Sequence, residues 1–176
     1  MQRFNFLLII GLIILLSSCS KEVKKESIII EKKLGSQAIE AFNEGKKALE
    51  EGDSLFAAKK FNEVEILFPQ SDLAPRSLLM AAYAYYFQDY YQDAVSELQR
   101  FVRVYPLHEN IDYAYYLLAI SYYEQIVDEK KDLQSITNAK ENFDIVIKKF
   151  PDTDYALDAK FKIGLINDIL ASKEMY

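Results

Sequence analysis

The chain has 176 residues, of which 51% are hydrophobic and 27% are charged, with five glycines and four prolines. This composition is typical of an ordinary globular protein built from helices, and it excludes a disordered chain. The formal net charge is −6, which disfavours a nucleic-acid partner because a phosphate-binding surface needs clustered lysine and arginine.

The N-terminus predicts a cleaved signal peptide over residues 1–18. Arg3 precedes an uninterrupted apolar run from Phe6 to Leu16. As a helix this run would rise only about 16 Å, against about 30 Å for the hydrocarbon core of a bilayer. A short basic start, a short apolar core and small residues are typical of a secretory signal rather than of a membrane-spanning helix.

Cys19 is the only cysteine of the chain, and it directly follows Leu16-Ser17-Ser18. This stretch resembles the lipid-attachment motif of bacterial lipoproteins. The resemblance implies that Cys19 becomes the first residue and carries covalent lipid, which is the only non-protein group expected. It also implies that Ser20, in place of an aspartate, favours sorting to the outer membrane. The alternative is an ordinary signal peptide followed by an incidental cysteine.

Residues 19–33 are mostly polar and charged, with one apolar run at Ile28–Ile30. They predict a flexible tether that separates the lipid from a folded domain over residues 34–176. Because the chain has a single cysteine, a disulfide within this domain is excluded.

Aromatic–proline pairs divide the folded domain. They are Phe68-Pro69, Tyr105-Pro106 and Phe150-Pro151, and the intervals between them are 37 and 45 residues. Tetratricopeptide repeats have a period of about 34 residues and end in a proline after their second helix. The pattern therefore predicts an all-α tetratricopeptide-repeat superhelix, an α-solenoid of about three and a half repeats. The repeats are expected near residues 38–71, 72–108 and 109–153, with a partial one over 154–176.

One small residue recurs in the first helix of every repeat: Gly45, Ala82, Ala119 and Gly164. Where two helices cross closely, only glycine or alanine leaves room for a large side chain on the facing helix, because added volume in a packed core causes strain. The sequence therefore predicts close helix crossings at these positions.

Few residues could support catalysis. His108 is the only histidine and lies just after Pro106, where its predicted role is to fix the turn between repeats. A single histidine and a single cysteine disfavour both a zinc site and a cysteine–histidine nucleophile. No glycine-rich phosphate-binding loop occurs in the sequence. We interpret the chain as a binding protein and not as an enzyme, with no metal site.

A solenoid of this kind is expected to bind its ligand on the concave face, which the first helices line. The exposed positions there are rich in tyrosine and include one lysine and one arginine. They suit an extended peptide with aromatic side chains and a carboxylate, although each could equally pack against the next repeat. The predicted groove residues are Phe42, Lys46, Arg76, Leu79, Tyr83, Tyr86, Tyr113, Tyr116 and Tyr123.

Four stretches are more specific than generic repeat sequence: residues 82–86, 100–103, 106–110 and 112–116. They resemble the BamD family, lipoprotein subunits of the outer-membrane β-barrel assembly (Bam) machine. The resemblance implies a scaffold that is lipid-anchored at the periplasmic face of the outer membrane. Its implied partners are unfolded barrel precursors, the barrel-inserting Bam subunit and the other Bam lipoproteins. The family has about five repeats, and this chain stops inside the fourth.

A second class of function stays open from the residues alone. A repeat lipoprotein could act as an adaptor that recruits a periplasmic protease or a cell-wall enzyme. Binding to barrel-assembly subunits distinguishes the two hypotheses. A hydrolase of the cell envelope is disfavoured because the sequence offers neither a nucleophile with its base nor a set of metal ligands.

Overall fold

The computed structural model describes residues 23–126 and 133–174, with side chains described for residues 33–126 and 133–171. Within these ranges the chain forms helices and no strands, which agrees with the predicted all-α class. The helices are α1 (Val23–Glu50), α2 (Ser54–Leu67), α3 (Ala74–Phe87), α4 (Tyr91–Val104), α5 (Ile111–Glu124), α6 (Leu133–Lys149) and α7 (Asp154–Glu174). The predicted signal peptide and Cys19 lie outside the described residues.

The helices follow the order expected of tetratricopeptide repeats. The pairs α1–α2, α3–α4 and α5–α6 occupy the first, second and third predicted repeats, and α7 occupies the place of a fourth first helix. Each helix from α2 onward packs on the next one along the chain. The second helices of the three pairs bury an equivalent large residue, and these residues are Phe61, Leu98 and Phe143. Successive repeats therefore share one packing scheme.

The chain divides into two compact units, residues 1–36 and residues 37–176. The described part of the first unit is helical from Val23, so the prediction of a flexible tether over residues 19–33 is wrong from that residue onward. The reason is local propensity: residues 23–33 contain lysine, glutamate and isoleucine without glycine or proline, and such a segment readily adopts helix. At its end, the Ser36 hydroxyl donates to the carbonyl of Lys33 at 2.8 Å.

The turns within the first two repeats share an unusual backbone conformation. Gly52 has a φ of 85° and Asp89 a φ of 63°, and the two residues lie 37 positions apart. This left-handed region suits glycine, and aspartate is among the few other residues that enter it. The 37-residue spacing inferred from the first two prolines is therefore also the spacing between the two turn residues with positive φ.

The turn between the second and third repeats contains His108. Its Nδ1 accepts a hydrogen bond from the backbone N–H of Asn110 at 3.1 Å. Its ring also packs edge-on against Phe101, with centroids 5.3 Å apart. The predicted role of this histidine in fixing the turn is confirmed.

The predicted close crossing is confirmed at Gly45. A Cβ placed on Gly45 would lie 2.9 Å from ring atoms of Phe61, a side chain that is fully buried. Ala82 and Ala119 at the equivalent positions are also fully buried. Gly164 differs, because nothing lies within 4 Å of an added Cβ. Gly164 is exposed, so among the described residues its position is not a close crossing.

These two glycines provide a matched pair of substitutions. Alanine is favoured over glycine in a helix interior by about 1 kcal/mol, so Gly164→Ala should stabilise the protein. In Gly45→Ala the same gain is opposed by overpacking against Phe61, which typically costs 1–3 kcal/mol. Urea unfolding should therefore show Gly45→Ala to be less stable than Gly164→Ala by about that overpacking cost. Equal stabilities would show that the Phe61 ring moves aside freely.

Candidate functional site

Five tyrosines on α3, α5 and α7 form an aromatic surface that we call the tyrosine groove. Helix α3 contacts α5, and α5 contacts α7. The ring of Tyr155 stacks on that of Tyr116 with centroids 5.1 Å apart, and it lies 5.5 Å from the ring of Tyr113. The groove therefore crosses three successive repeats. Its residues are Tyr83, Tyr86, Tyr113, Tyr116 and Tyr155.

The alternation of alanine and tyrosine explains why these rings are only half-buried. Successive residues of a helix point about 100° apart, so neighbouring positions meet different surroundings. In α3, Ala82 and Ala84 are fully buried, whereas Tyr83 between them is half-buried. In α5, Ala114 is fully buried beside the half-buried Tyr113. The small residues bring the helices together and leave the tyrosines at the surface.

A pocket of about 360 Å³ lies within the tyrosine groove. Its lining combines a buried leucine and a methionine with one arginine, one asparagine and three tyrosines. Concave sites with apolar walls and a few polar groups are the usual form of a ligand site. The lining residues are Arg76, Leu79, Met80, Tyr83, Asn110, Tyr113 and Tyr155.

The three tyrosine hydroxyls of the pocket are available to a ligand. Among the described residues, those of Tyr83, Tyr113 and Tyr155 have no hydrogen-bond partner. Burial raises the pKa of the Tyr113 hydroxyl, so this group stays protonated at neutral pH. A protonated phenol both donates and accepts hydrogen bonds. The pocket can therefore bind a polar backbone as well as an apolar side chain.

Tyr116 and Tyr86 contact residues outside the pocket. The hydroxyl of Tyr116 donates to Oδ2 of Asp158 at 2.8 Å, and its pKa is raised by burial and by this hydrogen bond. The ring of Tyr86 lies 5.6 Å from that of Tyr91. Burial, together with the negative charges of Glu124 and Asp89, raises the pKa of Tyr86. The hydrogen bond to Asp158 fixes Tyr116 in the wall of the groove, and Tyr86 continues that wall beside Tyr91.

The cationic group of the pocket is Arg76. Its guanidinium carbon lies 5.4 Å from the centroid of the Phe42 ring, and the residue is exposed. No ion pair within the described residues includes Arg76. An arginine without an acidic partner, next to hydroxyl donors, is suited to bind a carboxylate.

The structure places six of the nine predicted groove residues in or next to the pocket and the other three elsewhere. Arg76, Leu79, Tyr83 and Tyr113 line the pocket, and Tyr86 and Tyr116 adjoin it. Phe42 is buried against Phe61 with ring centroids 5.4 Å apart, and Lys46 is exposed on α1. The ring of Tyr123 meets Phe143 at 6.4 Å and the Lys162 ammonium at 4.8 Å.

Sequence reasoning missed three lining residues: Met80, Asn110 and Tyr155. Asn110 and Tyr155 lie 45 positions apart, which is the interval between the second and third aromatic–proline pairs. They occupy the same place at the start of two successive first helices. That shared register was the signal that could have placed both residues beside Tyr113.

Metal binding and membrane crossing are the two other kinds of site to consider in the described residues. In residues 23–126 and 133–174, no group of three or more histidine, cysteine, aspartate or glutamate side chains is placed to hold a metal ion. Across the same ranges, every helix is too short or too polar to cross a membrane. The tyrosine groove is the candidate site because its pocket combines apolar walls with tyrosine hydroxyls and an arginine that have no hydrogen-bond or ion-pair partner among the described residues.

Residues 35–176 match the YfiO family of outer membrane lipoproteins. The chain belongs to the YfiO family. Two of its relatives, both named outer membrane protein assembly factor BamD, come from Caulobacter vibrioides and Rickettsia prowazekii. They are 36% identical over 160 residues and 38% identical over 174 residues, covering 90% and 99% of this chain. The YfiO-family chain described here spans 51% and 66% of the length of these relatives.

Solved structures show the same fold as this YfiO-family chain. The first tetratricopeptide-repeat domain of Spaghetti (RPAP3), bound to the HSP90 peptide SRMEEVD, matches it with a TM-score of 0.58 at 19% identity, covering 78% of this chain and 95% of that one. The Sgt2 tetratricopeptide-repeat domain of Aspergillus fumigatus matches with a TM-score of 0.58 at 16% identity, covering 79% and 82%. The predicted tetratricopeptide-repeat solenoid is confirmed.

Proposed function

We propose that this chain acts in outer-membrane protein assembly and that its tyrosine groove binds unfolded segments of β-barrel precursors. Membership of the YfiO family and the assembly-factor names of its relatives support the assembly role. The same names and the repeat fold favour a non-enzymatic scaffold. In this proposal the chain sits at the periplasmic face of the outer membrane. Its protein partners there are the barrel-inserting subunit and the other lipoproteins of the assembly machine.

The pocket with its unpaired hydroxyls and its unpaired arginine is the observation that carries the binding proposal. An unfolded strand presents little fixed shape, so its recognition depends on a few aromatic contacts, backbone hydrogen bonds and one charge pair. Half-buried tyrosines supply both an apolar ring and a hydroxyl. Peptide binding by the RPAP3 domain supports the view that this fold can hold an extended segment.

Replacing Arg76 and Tyr83 together by alanine should weaken the binding of a chemically unfolded barrel precursor about a hundredfold. Truncation of a good contact typically costs above 1 kcal/mol and that of a central anchor 2 kcal/mol or more. A loss of about 2.7 kcal/mol corresponds to this change in Kd. The two effects need not add fully if both side chains touch the same ligand group. Fluorescence anisotropy with a labelled precursor measures the change.

A matched control uses the same two residue types outside the groove. Tyr90 and Arg103, both exposed near opposite ends of α4, are replaced by alanine in a second variant. This control should bind the precursor like the wild type, and circular dichroism should show both variants folded. If the two variants bind equally well, the precursor does not occupy the tyrosine groove. A wild-type chain that captures a periplasmic protease or cell-wall enzyme and no precursor would favour the adaptor alternative.

The proposed anchor at Cys19 has its own test. Cys19→Ser removes the only thiol of the chain, so no thioether to lipid can form. Two or more acyl chains are needed for stable membrane anchoring, and the variant should therefore leave the membrane fraction or remain as unprocessed precursor. Mass spectrometry of the mature wild-type protein should show acyl mass on Cys19. An unmodified Cys19 would contradict the proposed anchor.

A further inference from the structure

Arg76, Tyr113 and Asp158 occupy the same position in three successive first helices. Tyr113 follows Arg76 by 37 residues and Asp158 follows Tyr113 by 45, which are the two intervals between the aromatic–proline pairs. Since α3 contacts α5 and α5 contacts α7, the three residues form a row across the repeats. The row starts with a cation, has an aromatic ring in its middle and ends with an anion.

The cationic end of this row is free to accept a ligand group. Arg76 lines the pocket together with Tyr113, and it forms no ion pair with any described carboxylate. The guanidinium therefore keeps its donors for an incoming anion.

The anionic end is partly free as well. Oδ2 of Asp158 accepts the hydrogen bond of the Tyr116 hydroxyl at 2.8 Å, and among the described residues Oδ1 has no partner. Lys162 lies one turn further along α7, but its ammonium sits 4.8 Å from the centroid of the Tyr123 ring and forms no ion pair with Asp158. Asp158 is thus held in place by Tyr116, keeps one carboxylate oxygen without a partner, and takes part in no ion pair within the described residues.

We propose that the tyrosine groove is electrically polarised, so that it selects extended segments carrying an anionic group at one end and a cationic side chain about five residues away. The anionic group binds at Arg76 and the cationic one at Asp158. This inference rests on the proposed function, in which the groove binds unfolded polypeptide. Packed helices lie 8–10 Å apart, so α3 and α7 are separated by about 16–20 Å. An extended chain rises about 3.3 Å per residue, and five to six residues cover that distance.

Opposite charges at the two ends would act on selectivity more than on total affinity. Charge pairs at the rim of an interface change the affinity only modestly, yet a like charge in the wrong place is rejected. A segment that binds in the reverse direction would place its acidic group at Asp158, where it is repelled. Arg76 would then have no anionic group to bind. The groove would thereby discriminate among aromatic-rich segments that the tyrosines alone would accept.

Double-mutant cycles between the full chain and synthetic peptides test this polarity. The parent is an acetylated six-residue peptide that starts with lysine, alternates phenylalanine with threonine, and ends in phenylalanine with a free carboxylate. One variant peptide has norleucine for the lysine, and a second has a carboxamide for the carboxylate. A third has the carboxamide and a final glutamate, which distinguishes a terminal carboxylate from a side-chain one. Affinities are measured by fluorescence anisotropy at low and at high salt.

The protein variants remove charge while they keep shape. Asp158→Asn retains an oxygen that accepts the Tyr116 hydroxyl, and Arg76→Gln retains an amide donor. Asp93→Asn, an exposed carboxylate on the second helix α4, serves as the matched control. Asp158→Asn should weaken the lysine peptide about threefold and leave the norleucine peptide unchanged, in line with exposed ion pairs. Arg76→Gln should couple in the same way to the carboxylate and not to the lysine.

The outcomes separate this inference from the proposed function. Coupling confined to the two expected pairs, absent from Asp93→Asn and reduced by high salt, supports the polarity. If the peptides bind and Tyr113→Ala weakens them but no charge coupling is found, the polarity is overturned and the proposed groove stands. If lysine couples to Arg76 rather than to Asp158, the polarity is overturned as well. If no peptide and no unfolded precursor binds, both the inference and the proposed function are overturned.

Discussion

Phe61→Ala is expected to lower the free energy of unfolding by about 3–5 kcal/mol. Removal of a buried phenylalanine side chain loses the free energy of burying its apolar surface and leaves a cavity. Phe61 is fully buried. It fills the space over Gly45, where an added Cβ would lie 2.9 Å from its ring, and it packs against Phe42 with centroids 5.4 Å apart. Urea unfolding followed by circular dichroism measures the loss, which is a large part of a typical domain stability of 5–15 kcal/mol.

Phe56→Ala provides the matched control for this substitution. Phe56 lies on the same helix α2 and is 43% exposed. The Lys60 ammonium lies 5.7 Å from the centroid of the Phe56 ring. Surface substitutions away from packed features usually change stability by about 0.5 kcal/mol or less. A loss as large as that of Phe61→Ala would contradict the burial pattern of the first repeat.

The repeat register could be predicted from the sequence because several positions impose requirements that few residue types meet. A proline follows each second helix, and a small residue lies at each close crossing. The turns at Gly52 and Asp89 need residues that tolerate the left-handed backbone region. The helix over residues 23–33 could not be predicted in this way. Its sequence has helix propensity, but it lacks the regular apolar spacing that separates a stable helix from a linker.

The groove was predictable only in part. Two neighbouring positions of a first helix point in different directions. Which of them faces outward depends on the side chain that the adjacent helix packs against them, and the sequence does not show that side chain. Phe42 is buried because Phe61 lies against it, whereas Tyr113 is left at the pocket. Asn110 and Tyr155 lie at helix starts, where hydrophobic periodicity gives no information. Their place in the pocket follows from the stacking of repeats and not from any local pattern.

Arg100→Ala is expected to destabilise the protein by about 3 kcal/mol. Arg100 on α4 pairs with Glu65 on α2 at 2.6 Å and with Glu97 at 3.0 Å, and the three side chains are 29%, 10% and 18% exposed. Removing one partner of a buried ion pair costs about 3–5 kcal/mol, since the other charge stays desolvated and unpaired. The partial exposure of Arg100 places the expected loss at the low end of that range. Urea unfolding at neutral pH measures it.

A second substitution distinguishes two causes of the lost stability. One is the missing attraction between Arg100 and Glu65, and the other is the cost of leaving the Glu65 carboxylate without a partner. If the main cost of Arg100→Ala is the unpaired carboxylate of Glu65, adding Glu65→Gln should restore part of the lost stability, although Glu65→Gln alone destabilises the wild type. Non-additivity of this sign is the signature of coupled partners. A double variant that is less stable than Arg100→Ala by the full cost of Glu65→Gln would show that the pair contributes no coupling energy. Because α2 and α4 belong to successive repeats, the same cycle tests whether this ion pair fixes the first repeat against the second.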